Sequence, residues 1–234
     1  MSIKWNNHRE LEGTHAFLSA SQYQWLNYTD EILVKRYNSH YAQDIGTLIH
    51  ELASTLIKNR IKINKQDKHL IDVTLIRNYI PKSAYDANLI LNVLVPFVND
   101  AIFLRMDSEV LLFYDILCYG TTDTIKYAES QKVLRIHDLK TGVNPASFKQ
   151  LIIYSALFYK EYKIDPFENT TILRLYQNLE LEENDIEKLN NEGIVITDDY
   201  LELTVDPAII KDVMEKMKSS VNIINKSQGK EPRE

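Results

Sequence analysis

Apolar side chains recur at helical spacing through the N-terminal part of the chain. In YAQDIGTLIHELASTLIKNRIKI they lie three or four positions apart, the spacing that places side chains on one face of a helix. The segments KQDKHLIDVTLIRNYI and AYDANLILNVLVPFVNDAIFL also predict helices, and Pro96 should kink or interrupt the second. The pattern therefore predicts a helical N-terminal part.

A shorter helix is predicted earlier, in HAFLSASQYQWLNYT. Ser19 or Ser21 can cap this helix, because a serine hydroxyl accepts a hydrogen bond from the free N–H groups of a first helical turn.

The pattern then changes to runs rich in β-branched and aromatic residues. EVLLFYDILCYGTTDTIKY and KVLRIHDLKTG predict three consecutive strands in a meander, with bends near Gly120 and at the segment ESQ. Turn-forming residues separate these runs, which is typical of strands that follow one another in a sheet.

The remainder of the chain alternates helical and strand patterns. NPASFKQLIIYSALFYKEYK predicts a helix, TTILRLYQN a strand, and IVITDDYLELTV a pair of short strands. DPAIIKDVMEKMKSSVNII predicts a closing helix with Pro207 in its first turn. This order predicts an α/β fold in which helices flank a mainly antiparallel or mixed central β-sheet.

Length and composition fit a soluble globular protein. The 234 residues, 44% of them hydrophobic and 26% charged, suit a single domain over residues 1–225 with a polar, disordered tail over 226–234. No apolar run approaches the length of about 20 residues that a membrane span requires, and the start lacks the apolar core of a secretion signal. We therefore expect a cytoplasmic protein. The single cysteine, Cys118, excludes an internal disulfide and an all-cysteine zinc or iron–sulfur site.

The net charge of -6 leans mildly against a protein that coats duplex nucleic acid. An acidic chain can still act on nucleic acid if it has a local basic groove, or if metal ions bridge its carboxylates to phosphate. The candidate site therefore decides the matter.

The first candidate residues are Asp138 and Lys140, at the end of the predicted strand LRIHDLKTG. Residues two apart in a strand point to the same face, so these two side chains should project together, with His137 and Leu139 on the other face. A plain ion pair on a solvated strand is the simplest interpretation of this spacing.

Further candidate residues could join Asp138 and Lys140. If the strand of Asp123 pairs with that of Asp138, the two carboxylates meet, and their repulsion is relieved by a hard cation such as Mg²⁺ or Mn²⁺. Asp123 is otherwise a turn residue. His50 flanks the apolar face of its helix, where it is either a metal ligand or a histidine of a packed interface. Gln150 and Tyr154 share one helix face and can hydrogen-bond the lysine or a nucleotide.

The motifs GTLIH, GTTD, HDLKTG and QLIIY, in this order, resemble the PD-(D/E)XK nuclease superfamily, and specifically its RecB-like branch. That branch includes phage exonucleases, nuclease domains of bacterial recombination helicases and CRISPR-associated adaptation nucleases. The resemblance runs from LSAS, which ends at Ser21, to about Tyr162. It implies a restriction-endonuclease-like core for the α/β domain.

The resemblance also implies roles for individual residues. One or two divalent cations, Mg²⁺ or Mn²⁺, would be held by His50, Asp123, Asp138 and the backbone carbonyl of Leu139. Lys140 would be the catalytic lysine. The supporting or DNA-binding residues would be Gln150, Tyr154, Ser19 and Ser21.

The activity implied is that of a metal-dependent DNA nuclease, of the exonuclease type that serves phage recombination and replication. Its partners would be linear DNA ends, a strand-annealing recombination protein and further copies of the chain. Two features depart from many relatives: there is no four-cysteine iron–sulfur cluster, and an aspartate, Asp138, stands where glutamate is common. Two alternatives remain: a nuclease-fold protein that binds DNA or a protein without cutting, and a hydrolase of small phosphoesters.

Overall fold

The computed structural model describes residues 16–142 and 146–229, without the side chains of Ser21 and Gln22. Within these residues the chain forms helices and strands in the following order: α1 (Asp30–His40), α2 (Ala42–Lys58), α3 (Lys68–Arg77), α4 (Ala87–Phe103), β1 (Asp107–Asp115), β2 (Cys118–Ala128), β3 (Val133–Lys140), α5 (Lys149–Tyr162), β4 (Thr170–Gln177), α6 (Glu183–Asn191), β5 (Ile194–Ile196), β6 (Leu201–Val205) and α7 (Pro207–Ser227). Short 3₁₀ helices lie at Ala20–Asn27, Lys82–Ala84, Glu129–Gln131 and Pro166–Glu168.

The six strands form one mixed sheet in the order β1-β2-β3-β4-β6-β5. β1, β2 and β3 form the predicted antiparallel meander, and β5 pairs with β6 as predicted. β3 and β4 are parallel, and the chain crosses between them through α5. A parallel pair requires such a crossover, which explains why a helix separates these two strands in the sequence. The α/β class and the mixed sheet are confirmed.

Helices cover both faces of the sheet, and each face has its own apolar core. On one face, residues of α2, α3 and α4 such as Ile49 and Leu94 pack against Leu139 of β3. On the other face, residues of α5 and α7 such as Leu157 pack against Leu134 and Ile136. The alternation along β3 directs Leu134 and Ile136 to the α5 face and Leu139 to the α2 face.

Several details differ from the sequence-based predictions. Gly120 does not lie at a bend but inside β2, where it pairs with Leu112 of β1. Pro96 does not interrupt α4, which continues from Ala87 to Phe103. The closing helix α7 extends to Ser227, so the first two residues of the predicted disordered tail are helical.

The predicted first helix is the 3₁₀ helix Ala20–Asn27. Ser19 takes its N-cap position, but the side chain makes no capping hydrogen bond there. Instead, the carbonyl of Ser19 accepts a hydrogen bond from Nε1 of Trp25 at 3.0 Å. The side chain of Ser21 lies outside the described part of the chain.

Four helices end with the same backbone motif and without glycine. One or two residues after the helix end, a residue has a positive φ of 55° to 60°, and the next residue donates its N–H back to a carbonyl five positions earlier in the chain. This is the Schellman arrangement, in which glycine is the usual residue. The residues with positive φ are Arg60, Tyr79, Arg105 and Lys163.

None of the helices in the described ranges combines the length and the apolar character needed to cross a bilayer.

Candidate active site

Asp138 and Lys140 project from β3 toward α5 and form an ion pair. Nζ of Lys140 lies 2.9 Å from Oδ2 of Asp138, whose side chain is almost fully buried at 4% exposure. The same-face prediction for these two residues is confirmed, and His137 and Leu139 are buried on the opposite side. The carboxylate is therefore held inside the protein, unlike an ion pair on a solvated strand.

Asp123 lies on the neighbouring strand, beside Asp138. The pairing of Thr124 with His137 brings the two positions next to each other at the end of the β2–β3 ladder. Oδ2 of Asp123 accepts a hydrogen bond of 2.8 Å from the backbone N–H of Leu139. Asp123 is thus not a turn residue, and it is bound to the strand that carries the other candidate residues.

His50 reaches Asp123 from α2. Ile45, Ile49 and Ala53 face the core, which places His50 at the flank of the helix, and Nδ1 of His50 lies 3.1 Å from Oδ1 of Asp123. Burial lowers the pKa of the imidazole, but the hydrogen bond and charge of Asp123 outweigh burial, so the pKa of His50 is raised. The predicted histidine and the two carboxylates therefore belong to one site.

The electrostatic environment of Asp138 reflects its burial and its charged neighbours. Burial, followed by the negative charge of Asp123, raises the pKa of Asp138 to about 6. Lys140 and His50 act in the opposite direction but do not cancel this increase. No hydrogen bond of good geometry reaches Oδ2 of Asp138 from the described residues. This oxygen is therefore a buried acceptor that is stabilised mainly by the charge of the nearby ammonium group of Lys140.

Two side chains of α5 extend the site beyond the strands. Nζ of Lys140 donates to Oε1 of Gln150 at 3.0 Å, and Nε2 of Gln150 donates to the hydroxyl of Tyr154 at 3.0 Å. Burial raises the pKa of the half-buried Tyr154. The aromatic ring lies directly over Gly120 of β2, where a Cβ atom would be only 2.8 Å from Cε1. The predicted i,i+4 pair therefore supports the lysine from one side.

Sequence reasoning missed Glu109, which lies opposite Asp123 in the β1–β2 ladder. The pairs Ser108–Thr124 and Val110–Thr122 flank this position. Partial burial, together with the charge of Asp123, raises the pKa of Glu109. Counting back along the hairpin from Asp123 would have found this residue, but its backbone φ of 57° has no signal in the sequence.

Within the described residues, no three His, Cys, Asp or Glu side chains form a group that could hold a metal ion as they stand. His50 is paired with Asp123, and Asp138 with Lys140. The ligand roles of His50, Asp123, Asp138 and the Leu139 carbonyl therefore stay predictions. The supporting roles of Ser19 and Ser21 also stay predictions.

No protein-family model, no curated protein and no solved structure matches the chain. The resemblance to PD-(D/E)XK nucleases therefore rests on the four motifs and on the site that they form.

Proposed function

We propose that the chain is a DNA nuclease that depends on Mg²⁺ or Mn²⁺ and is built on a restriction-endonuclease-like core. The observation that carries this proposal is the ion pair of Asp138 and Lys140 on β3, with Asp123 beside it at 2.8 Å from the N–H of Leu139. Two acidic side chains and one amine on neighbouring strands are a suitable set for the hydrolysis of a phosphodiester.

The donor atoms of the site suit a hard divalent cation. Carboxylate oxygens are the preferred ligands of Mg²⁺ and Mn²⁺, and a neutral imidazole can serve Mn²⁺. Asp138 has a raised pKa because its charge is buried beside another carboxylate, and a cation would relieve both causes. His50, Asp123, Asp138 and the carbonyl of Leu139 would hold the cation after their present ion pairs open. A bound cation would supply an activated water and polarise a phosphoryl oxygen.

Lys140 has a separate role in this proposal. Gln150 and Tyr154 hold its amine beside Asp138, so the amine can stabilise the negative charge that develops on the attacked phosphoryl group. The positive charge is thereby placed next to the scissile bond, which matters in a chain with a net charge of -6.

The test is digestion of end-labelled linear DNA with Mg²⁺ or Mn²⁺ by wild type, Lys140→Ala and Lys132→Ala. Lys132 is a matched control, because it is an exposed lysine in the turn before β3, at the opposite end of that strand, where it pairs with Glu168 at 3.0 Å. We expect Lys140→Ala to lose about 10²–10³-fold in rate, the usual effect of removing a group that stabilises transition-state charge, and Lys132→Ala to match wild type. Equal cleavage by all three proteins would refute the role of Lys140.

Four further measurements define the type of activity, its metal dependence and the partners of the chain. Covalently closed circular DNA should resist the enzyme if it is an exonuclease, and should be cut if it is an endonuclease. Calorimetric titration with Mn²⁺ should show binding to wild type and Lys140→Ala but not to Asp138→Asn. Size-exclusion chromatography tests whether copies of the chain assemble, and pull-down with a strand-annealing protein tests the proposed partner.

One observation favours a second candidate, a nuclease-fold protein that binds DNA without cutting it. Both carboxylates already have partners within the protein. Asp123 contacts His50 and the N–H of Leu139, and Asp138 is paired with Lys140. DNA binding without cleavage, together with no detectable Mn²⁺ binding, would support this candidate over the enzyme.

A further inference from the structure

At Glu109 the side chains of β1 change the face of the sheet to which they point. Oγ of Ser108 donates to Oγ of Ser54 at 2.7 Å, so Ser108 faces α2. Val110 and Leu112 instead pack with the core on the α5 side. Residues two apart in a regular strand face the same way. The strand therefore switches faces between Ser108 and Val110.

β2 makes the same switch at the matching position. Thr124 lies beside Met106, which belongs to the core on the α2 side, with 3.8 Å between Oγ1 and Sδ. Gly120, four residues earlier, contacts Tyr154 of α5 on the other side. The pairing register of β1 with β2 is the same before and after the switch. The side chains of both strands therefore change faces at paired positions. Asp123 lies between Gly120 and Thr124, where this change occurs in β2.

Glu109 has the backbone conformation that produces this change. It is opposite Asp123, and its φ of 57° lies in the left-handed region, within a strand whose other residues are extended. Such a conformation is uncommon for a residue other than glycine, and irregularities of this kind in a strand change the direction of neighbouring side chains.

The position of the switch explains the two contacts of Asp123. One carboxylate oxygen meets His50, which α2 brings from one face of the sheet, and the other meets the N–H of Leu139 in the adjacent strand. A side chain in a regular strand stands roughly perpendicular to the sheet, over one face. We propose that Glu109 is a positioning residue, whose left-handed backbone turns the β1–β2 ladder so that Asp123 reaches both partners. This inference rests on the proposed function for its consequence in catalysis.

The test compares Glu109→Asn, Glu109→Gly and Glu109→Val. All three variants lose the carboxylate, but asparagine and glycine tolerate a positive φ, whereas a β-branched valine does not. Lys163→Val is the control: Lys163 has a φ of 56° at the far end of α5, roughly 20 Å along the helix from Gln150. Two readouts are used, the hydrogen-exchange protection of the Leu139 amide by NMR and the rate of DNA cleavage with Mn²⁺.

We expect Asn and Gly at this position to keep the Leu139 amide protected and the cleavage rate within about threefold of wild type. Valine should reduce the protection at least tenfold and the rate about 10²-fold, the effect expected when a reacting group is displaced by about 1 Å. Lys163→Val should change neither readout. If Glu109→Val does not fold, Glu109→Ala takes its place, because alanine also disfavours the left-handed region.

Two results would overturn the inference. An equal loss in all three Glu109 variants would assign the role to the carboxylate, and full protection of the Leu139 amide in Glu109→Val would show that the backbone of Glu109 does not position Asp123. If wild type neither cleaves DNA nor binds Mn²⁺, the proposed function fails. The amide readout then still decides whether Glu109 positions Asp123.

Discussion

The ring of Tyr154 occupies the space above Gly120, so that a Cβ atom at position 120 would lie 2.8 Å from Cε1 of the tyrosine. This contact joins α5 to β2 next to the proposed site. The hydroxyl of Tyr154 and the amide of Gln150 connect this contact to Lys140 through two hydrogen bonds.

Gly120→Ala should therefore displace Tyr154. We expect a loss of about 1–3 kcal/mol in the free energy of unfolding, the usual effect of overpacking, and a lower rate of DNA cleavage. The measurements are urea denaturation and digestion of linear DNA. Gly46→Ala is the matched control, because its new methyl group would meet Oγ1 of Thr141 at an ordinary 3.6 Å. Gly46 lies inside α2, where alanine should stabilise the helix by up to about 1 kcal/mol. Equal stability losses at both positions would contradict this interpretation.

Asp138 should make the stability of the protein depend on pH. Its pKa is raised from 3.8 to about 6, first by burial and then by Asp123, so the folded state favours the protonated form. The stabilisation that this provides is complete below pH 4 and is lost as the pH rises through 6. Relative to Asp138→Asn, wild type should lose about 2–3 kcal/mol between pH 4 and pH 7, since one pKa unit corresponds to about 1.4 kcal/mol.

Urea denaturation of wild type and Asp138→Asn at several pH values measures this difference directly. Since the raised pKa of His50 acts in the same direction, only the difference between the two proteins isolates Asp138. A difference that stays constant from pH 4 to pH 7 would show that the carboxyl titrates normally.

Two tyrosines of α5 allow support of the site to be separated from support of the fold. Tyr154→Phe removes the hydroxyl that accepts from Gln150, and we expect about a tenfold lower cleavage rate with a stability change below about 1 kcal/mol. Tyr159→Phe removes a fully buried hydroxyl that lies 2.8 Å from Oγ1 of Thr171. It should lower the free energy of unfolding by about 1–3 kcal/mol and leave the rate unchanged. The reverse result would place the functional hydroxyl at Tyr159.

Arg174 should be a main contributor to stability on the α2 side of the sheet. Its guanidinium group lies 2.9 Å from Asp100 of α4, 2.6 Å from Glu202 of β6 and 4.0 Å from the ring centroid of Tyr200. Arg174→Met would leave two partly buried carboxylates without their cation, at a cost of about 3 kcal/mol. Lys211→Met, which removes an exposed pair with Glu215 at 3.9 Å, should cost less than about 0.5 kcal/mol.

Thermal and urea denaturation of both variants test this prediction. The double variant Arg174→Met with Glu202→Met should recover part of the loss, because one unpaired carboxylate is removed with the arginine. No recovery, or similar effects of Arg174→Met and Lys211→Met, would show that the network contributes little.

The sequence predicted the elements whose apolar pattern reflects burial. α2 and the meander strands have clear periodicity because one face of each packs against a core. α1 and α6 were not predicted, and neither has a buried residue among its described side chains. Their local signals lie at the N-termini instead, where Thr29 caps α1 and Glu182 caps α6. Helices without an apolar stripe are difficult to recognise from periodicity alone.

The site shows the same division between local and long-range information. The common face of Asp138 and Lys140 follows from the two-residue period of a strand, and the structure confirms it. The pairing of His50 with Asp123 joins residues far apart in the chain, so no local pattern contains it. The sequence predicts a bend at Gly120 because glycine favours turns, whereas in β2 the space for a side chain at this position is taken by the ring of Tyr154 from α5. The left-handed backbone of Glu109 has no compositional signal.

The four helix ends without glycine are positions at which the stability of the protein could be increased. Each of Arg60, Tyr79, Arg105 and Lys163 holds a side chain in a backbone region that disfavours one, by roughly 1 kcal/mol per residue. Glycine at these positions would remove that penalty but would cost about 0.4–1 kcal/mol in the entropy of the unfolded chain. The four sites lie in different loops, so the small net gains should add. The thermal stability of the protein could thus be raised without changing Asp123, Asp138 or Lys140, which would help crystallisation with DNA.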